Sequence, residues 1–217
     1  MAETTKVKIC GLKTEAALQA ALAGGADYVG LVFFPPSPRN ISPAVAQALA
    51  ASARGRARIV ALMVDPDDAL IDTVMASVAP DLLQLHGEET PERAADIRRR
   101  WGKPVMKAIK VETAEDAQGA LRYRGIADLI LFDARAPEDS TRPGGNGAPF
   151  DWRALLGVKD WVPYMLSGGL TPDNVAEAIR VTGAPIVDVS SGVETRPGVK
   201  DPDLIRRFLQ AAKGAKQ

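Results

Sequence analysis

The residues of this chain that could carry chemistry are few. There is one cysteine, Cys10, and one histidine, His86. Asp65, Asp133 and Asp188 lie at or near the ends of short apolar runs. Two small-residue turns, Ser167-Gly168-Gly169 and Ser190-Ser191-Gly192, also follow apolar runs. A lone cysteine is either a small inert hydrophobe or, if its pKa falls from about 8.5 toward neutrality, an acid or base. Glycine lets backbone N–H groups approach an anion closely, and helix N-termini favour negative charge. Both turns therefore read as a phosphate-binding pair. Arg39 follows the proline-stiffened stretch Pro35-Pro36-Ser37-Pro38. Its guanidinium is either a bidentate carboxylate clamp or a solvated surface charge.

The remaining candidates carry alternatives as well. Asp133 closes the apolar run LILF and reads as a general acid or as a cap for the loop that follows. Asp65 precedes Pro66 and Asp67-Asp68, which suits a turn or a helix start. His86 stands before Gly87 as a base or as a hydrogen-bonded pocket-lining residue. Lys8 is expected to give Cys10 little help if strand alternation points it elsewhere. The basic runs 54–58 and 98–100 fall at helix C-termini, where they suit the macrodipole and face solvent.

Composition excludes several other chemistries. The chain has 217 residues, with 27 Lys plus Arg balancing 27 Asp plus Glu. A dedicated nucleic-acid binder carries a basic excess, so no nucleic acid is expected. One Cys cannot build a disulfide framework, which points to a reducing compartment. One His and one Cys cannot supply a typical zinc site, so no metal is expected. The N-terminus lacks the pattern of a signal peptide, and no run approaches the roughly 18 apolar residues of a membrane span. The expected protein is soluble and cytoplasmic, with no membrane partner.

Apolar, β-branched runs alternate with longer Ala-rich stretches, and these elements must position the candidates. Strands are predicted over 7–10, 28–34, 58–64, 82–85, 105–109, 128–132, 162–166 and 186–189. Helices are predicted over 15–23, 43–53, 67–78, 91–101, 114–123, 172–181 and 202–212. Thr14, Ser42, Thr90, Thr113 and Thr171 are N-cap candidates, and Pro43 suits the first helical position. The loop 134–149 is the only long irregular segment and reads as functional. Alternating β and α units imply a parallel sheet, whose buried strands read as continuous apolar runs. Eight strands at roughly 27 residues per unit suit a (β/α)8 TIM barrel as a single α/β domain over 1–217. The ends 1–5 and 214–217 are expected to fray. The alternative is an open doubly wound sheet, but no G-x-G-x-x-G follows the first strand. In a barrel the catalytic groups project from the C-terminal strand ends, where Cys10, Arg39, His86, Asp133 and both small-residue turns fall.

Five strings occur in order: KICG from Lys8, QLHGEE from Gln84, GGNGAPFDW, LSGGLTPDNVAEAI from Leu166 and VDVSSGVETRPGVKD ending at Asp201. Together they resemble the phosphoribosylanthranilate isomerase family of tryptophan biosynthesis. The resemblance implies a barrel with no cofactor and no metal. It implies an Amadori rearrangement of N-(5-phosphoribosyl)anthranilate to 1-(2-carboxyphenylamino)-1-deoxyribulose 5-phosphate. It carries the general base onto Cys10 and the general acid onto Asp133. Arg39 would contact the anthranilate carboxylate, and His86 would join the substrate-binding residues. Gly168, Gly169, Ser190, Ser191 and Gly192 would hold the phosphate, with Asp188 near the sugar. The expected partner is a small phosphorylated substrate, and the expected assembly is a monomer, with a dimer as the alternative.

Two further readings compete. Another phosphate-binding barrel is one; a metal-dependent epimerase would want more than one His, and a pathway lyase would want a pocket Lys–Glu pair, for which Lys107 and Lys110 stand near the fifth strand. The other is a binding barrel without turnover, which would keep the glycine turns but have no need of Cys10 or Asp133.

Overall fold

A computed structural model describes residues 4–134 and 150–215. The apolar runs become eight parallel strands: β1 Lys6–Cys10, β2 Tyr28–Phe33, β3 Arg58–Met63, β4 Leu82–Leu85, β5 Val105–Val111, β6 Leu129–Ala134, β7 Tyr164–Leu166 and β8 Ile186–Val189. They pair in sequence order, and β8 closes on β1 with Lys8 opposite Asp188. The (β/α)8 barrel is therefore the observed fold.

The outer layer is α1 Glu15–Ala23, α2 Pro43–Ala53, α3 Asp68–Val78, α4 Pro91–Trp101, α5 Ala114–Gln118, α6 Val175–Thr182 and α7 Pro202–Gly214. Thr14, Ser42, Asp67, Thr90 and Thr113 each accept a hydrogen bond from a backbone N–H three residues on, which satisfies a donor the helix itself leaves orphaned. Pro43 and Pro91 lie in the first turn, where the missing N–H costs nothing.

Period-two alternation divides each strand between two cores. Val7, Ile9, Leu31, Ile59, Leu83, Ile130 and Val187 face the helices in one cluster. Tyr28, Val60, Leu82, Met106, Leu129, Leu131 and Met165 form another, which fills the barrel. The interior is thus packed, and polar side chains on the inward positions gather toward the C-terminal strand ends.

Several predicted spans differ from the observed elements. Residues 114–123 are not one helix: α5 ends at Gln118 and a 3-10 turn follows over Gly119–Tyr123, because glycine is a poor helix former. Helix α6 begins at Val175, and Thr171 is not its N-cap. The Thr171 N–H donates to Asn174 Oδ1 at 2.7 Å while Asn174 Nδ2 donates to the Gly169 carbonyl at 2.9 Å, so Asn174 ties the glycine turn to the helix start. A hairpin that was not expected, β9 Glu194–Arg196 and β10 Val199–Lys200, turns on Pro197-Gly198 after a 3-10 turn over Ser191–Val193. At the ends, Thr5 is buried and α7 runs through Gly214. Of the loop 134–149, Ala134 ends β6 and the rest lies outside the described residues. Among the described residues no helix is long and apolar enough to cross a membrane.

Candidate active site

Cys10 ends β1 and is only 3% exposed. Val32 and Leu62 cluster with it on one side, and Phe34 and Val64 pack against that cluster. The other side is ionic. Lys8 lies two residues earlier on the same strand, and residues two apart share a face. It does not point elsewhere. It is wholly buried inside the barrel, where its Nζ donates to Asp188 Oδ1 at 3.0 Å. Ser167 Oγ, just after β7, donates to the other Asp188 oxygen at 3.1 Å. Burial pushes the Cys10 thiol up; Asp188 adds to that, and the Lys8 and Lys200 ammonium groups oppose it. Burial alone would lower Lys8, but Asp188 and Cys10 outweigh it and hold the ammonium above its usual range.

Asp133 stands on β6, three places from β1 around the barrel through β8 and β7. His86 follows β4, and its Nε2 lies 3.3 Å from Asp133 Oδ2. Gln84 Nε2 lies 3.0 Å from His86 Nδ1. Donation from the Gln84 amide to Nδ1 leaves the neutral ring its one hydrogen on Nε2, facing the carboxylate. The Ala134 N–H donates to the second oxygen, Asp133 Oδ1, at 3.0 Å.

The turn that presents His86 is braced from outside the barrel. Glu89 accepts from the Asp65 N–H at 2.8 Å and from Lys107 Nζ at 2.7 Å, and Lys107 also donates to the Gly87 carbonyl at 2.6 Å. Tyr123 Oη donates to the Glu89 carbonyl at 2.7 Å. Lys107 alternates with the inward Met106 and Ala108, so it faces the helices. It supplies no pocket lysine of the kind a lyase needs. Asp65 adopts a left-handed turn and accepts from the Glu88 N–H at 2.7 Å, while Asp67 caps α3.

Arg39 is buried, not solvated, and its fork is already engaged. Nε and Nη2 donate to the two Glu194 oxygens at 2.8 Å each. Lys200 Nζ donates to the same carboxylate at 2.8 Å, to the Ser190 carbonyl at 2.8 Å and to Ser190 Oγ at 3.1 Å. Ser190 Oγ donates in turn to the Cys10 carbonyl at 3.2 Å. Burial pushes Lys200 down to about 8, and Arg39 adds to the fall. Burial would raise Glu194, but its two cations outweigh that and hold the carboxyl below the usual range.

The glycines set how closely the loops approach. Gly168 has a φ of +86°, and a Cβ there would strike the Ala134 backbone at the end of β6. A Cβ on Gly192 would strike the Leu170 carbonyl, so the turns after β7 and β8 touch at this point. Gly169 is left-handed too. The two turns thus meet at Gly192 and Leu170, and the Lys200 ammonium holds the second of them through Ser190. Among the described residues no group of three His, Cys, Asp or Glu side chains is placed to hold a metal ion.

Gln84, Glu194 and Lys200 join the site without having been singled out by sequence, and Lys8, expected to give little help, joins it as well. Only Lys8 carried a usable signal, its spacing of two from Cys10.

The family model described as N-(5'-phosphoribosyl)anthranilate isomerase matches residues 7–211. The N-(5'-phosphoribosyl)anthranilate isomerase of Paramagnetospirillum magneticum is 56% identical over 211 residues, covering 97% of this chain and 98% of its own. A solved phosphoribosyl anthranilate isomerase in complex with reduced 1-(o-carboxyphenylamino)-1-deoxyribulose 5-phosphate is 37% identical, with a TM-score of 0.85 over 97% of this chain and 99% of that one. Monomers of the dimeric phosphoribosylanthranilate isomerase from Thermotoga maritima superpose with a TM-score of 0.84 at 38% identity, over 97% of this chain and 99% of that one.

Proposed function

The chain belongs to the N-(5'-phosphoribosyl)anthranilate isomerase family, and on that premise we propose that Cys10 and Asp133 are its general base and general acid. The activity is the isomerase step of tryptophan biosynthesis. The carrying observation is that Cys10 and Asp133 occupy inward positions at the same mouth of one barrel, on strands three places apart. A substrate held across the mouth would meet one group on each side.

The chemistry needs two proton transfers. Protonated Asp133 donates to the ribose ring oxygen as the C1′–O bond breaks, and the anilino nitrogen's lone pair forms the iminium. The iminium acidifies the C2′ hydrogen. The Cys10 thiolate removes that proton, giving an enolamine, which gains a proton at C1′ as its 2′-hydroxyl loses one and becomes the ketone. Each transfer contributes typically about 10²–10⁴-fold. His86, 3.3 Å from Asp133, fixes that carboxyl group, and Asp188 orients the sugar.

The phosphate is assigned to the rim of Gly168, Gly169, Ser190, Ser191 and Gly192. Support comes from the close contact of the two turns and from the relative solved with a 5-phosphate ligand. Arg39 is assigned to the anthranilate carboxylate. Glu194 fills its Nε–Nη2 edge, so the carboxylate takes the Nη1 side or displaces Glu194.

The test is conversion of the fluorescent anthranilate riboside by purified protein, then by Cys10→Ala and Asp133→Ala. Each variant should lose at least 100-fold in kcat, the low end of a single proton-transfer contribution. Near-normal turnover in either removes that residue's role.

A further inference from the structure

A fully buried lysine is costly, and a buried ion pair is weak support for stability because apolar residues of similar size often do as well. Lys8 and Asp188 form such a pair beside Cys10. A Cβ added to Gly30, on the neighbouring strand, would lie 2.9 Å from Cys10 Sγ and 3.2 Å from Lys8 Cε. The thiol and the lysine stem therefore converge over one glycine. They lie within about 6 Å of each other, the range over which a unit charge moves a neighbour's ionisation.

We propose that Lys8 is a positioning residue for the reaction: a fixed ammonium, held by Asp188, whose charge favours the thiolate of Cys10 in a corner otherwise closed to water. The proposal rests on the reading of Cys10 as the base, but its test does not depend on turnover.

The charged groups that face Cys10 come from three strands. Strand β1 supplies Lys8, β8 supplies Asp188, and β10 supplies Lys200 through Ser190, with Arg39 and Glu194 behind it. Strands β2 and β3 supply Gly30, Val32 and Leu62, which carry no charge. Two cations thus favour the thiolate, while Asp188 and burial oppose it. Lys8 is the cation on the thiol's own strand face. It is not itself the base, because Asp188 and Cys10 keep it protonated.

Lys8 and Asp188 must then act on the thiol in opposite directions, which a merely structural pair would not do. Because the chain has one cysteine, the difference in thiolate absorbance near 240 nm between the protein and Cys10→Ala reports Cys10 alone. Lys8→Met should move the midpoint up by roughly one unit or more, a tenfold loss of thiolate at fixed pH. Lys8→Arg should keep the midpoint. Asp188→Asn, which leaves the ammonium without its counter-charge, should move it down. The ascending limb of the kcat/KM pH profile should follow the midpoint in Lys8→Met.

If Lys8→Met does not fold, Asp188→Asn and Lys8→Arg still decide the matter. Unchanged midpoints, or shifts of the same sign in Lys8→Met and Asp188→Asn, overturn the proposal. An active Cys10→Ala enzyme would remove the base assignment and leave this titration result standing.

Discussion

Lys200 should make ligand affinity fall above pH 8. Its ammonium has three N–H donors, and all three are used: the Ser190 carbonyl, Ser190 Oγ and Glu194. Burial pushes its pKa from 10.5 down to about 8. That gap is worth about 3 kcal/mol against the charged form. The ammonium fraction then drops from about nine-tenths at pH 7 to about one-tenth at pH 9, and with it the brace on the phosphate turn. Affinity for the carboxyphenylamino-deoxyribulose phosphate product, followed by fluorescence titration, should weaken about tenfold between pH 7 and 9. A binding readout does not depend on the ionisation of Cys10. Lys200→Arg should stay tight throughout, and Lys200→Met should be uniformly weak and flat. Stability should run the other way. A lysine whose folded pKa is lowered binds fewer protons folded than unfolded between about 8 and 10.5, so its contribution to stability rises with pH there. Denaturant melts should show the protein gaining on Lys200→Met across that window while affinity falls. An equal affinity loss in Lys200→Met, or none in the unmodified protein, refutes the reasoning.

Two other substitutions test the rim and its support. Gly192→Ala drives a Cβ into the Leu170 carbonyl, a backbone atom that cannot swing aside, so KM should rise at least tenfold with a smaller change in kcat; an unchanged KM would show that the contact of the two turns does not shape the phosphate site. Glu194→Gln removes the carboxylate that Arg39 and Lys200 share, leaving Arg39 a buried cation with no counter-charge and pushing Lys200 further toward its neutral form. Stranding buried charge in this way costs about 3–5 kcal/mol, so Tm should fall by on the order of 10 °C in a thermal scan. A shift of only a degree or two would count against the pairing as described.

Much of the scaffold was readable because its signals are local. The spans 15–23, 43–53 and 91–101 match α1, α2 and α4 residue for residue, each announced by Ser or Thr at the N-cap. Proline adds to the signal in α2 and α4. The spans 82–85 and 186–189 match β4 and β8 for the same reason, being short apolar runs between turn residues. The β9–β10 hairpin was missed because ETRPGVK has no apolar alternation; Pro197-Gly198 was its only cue. The buried charges were missed on different grounds. A lysine or glutamate is presumed exposed until a partner is known, and the partners here are remote in sequence. Lys8 meets Asp188 across 180 positions and Arg39 meets Glu194 across 155. Only barrel closure, which brings β8 back to β1, places them together.

The zero net charge hides a local imbalance that bears on function. Lys8 and Asp188 cancel. Arg39 and Lys200 share the single carboxylate of Glu194, which leaves one positive charge buried behind Ser190. That is where the phosphate is assigned, so the anion site combines backbone N–H groups with an uncompensated cation held one layer back. Burial and Arg39 work against the Lys200 proton and push its pKa down to about 8. An anion on the rim would favour the charged form, and by linkage the charged form favours the anion equally. A phosphate held on this rim would therefore be taken up together with a proton near pH 8. The same ammonium also opposes the rise in the Cys10 thiol. Occupation of the phosphate rim, by holding Lys200 charged, would then favour thiolate at the base, joining substrate capture to activation through Ser190 and Lys200.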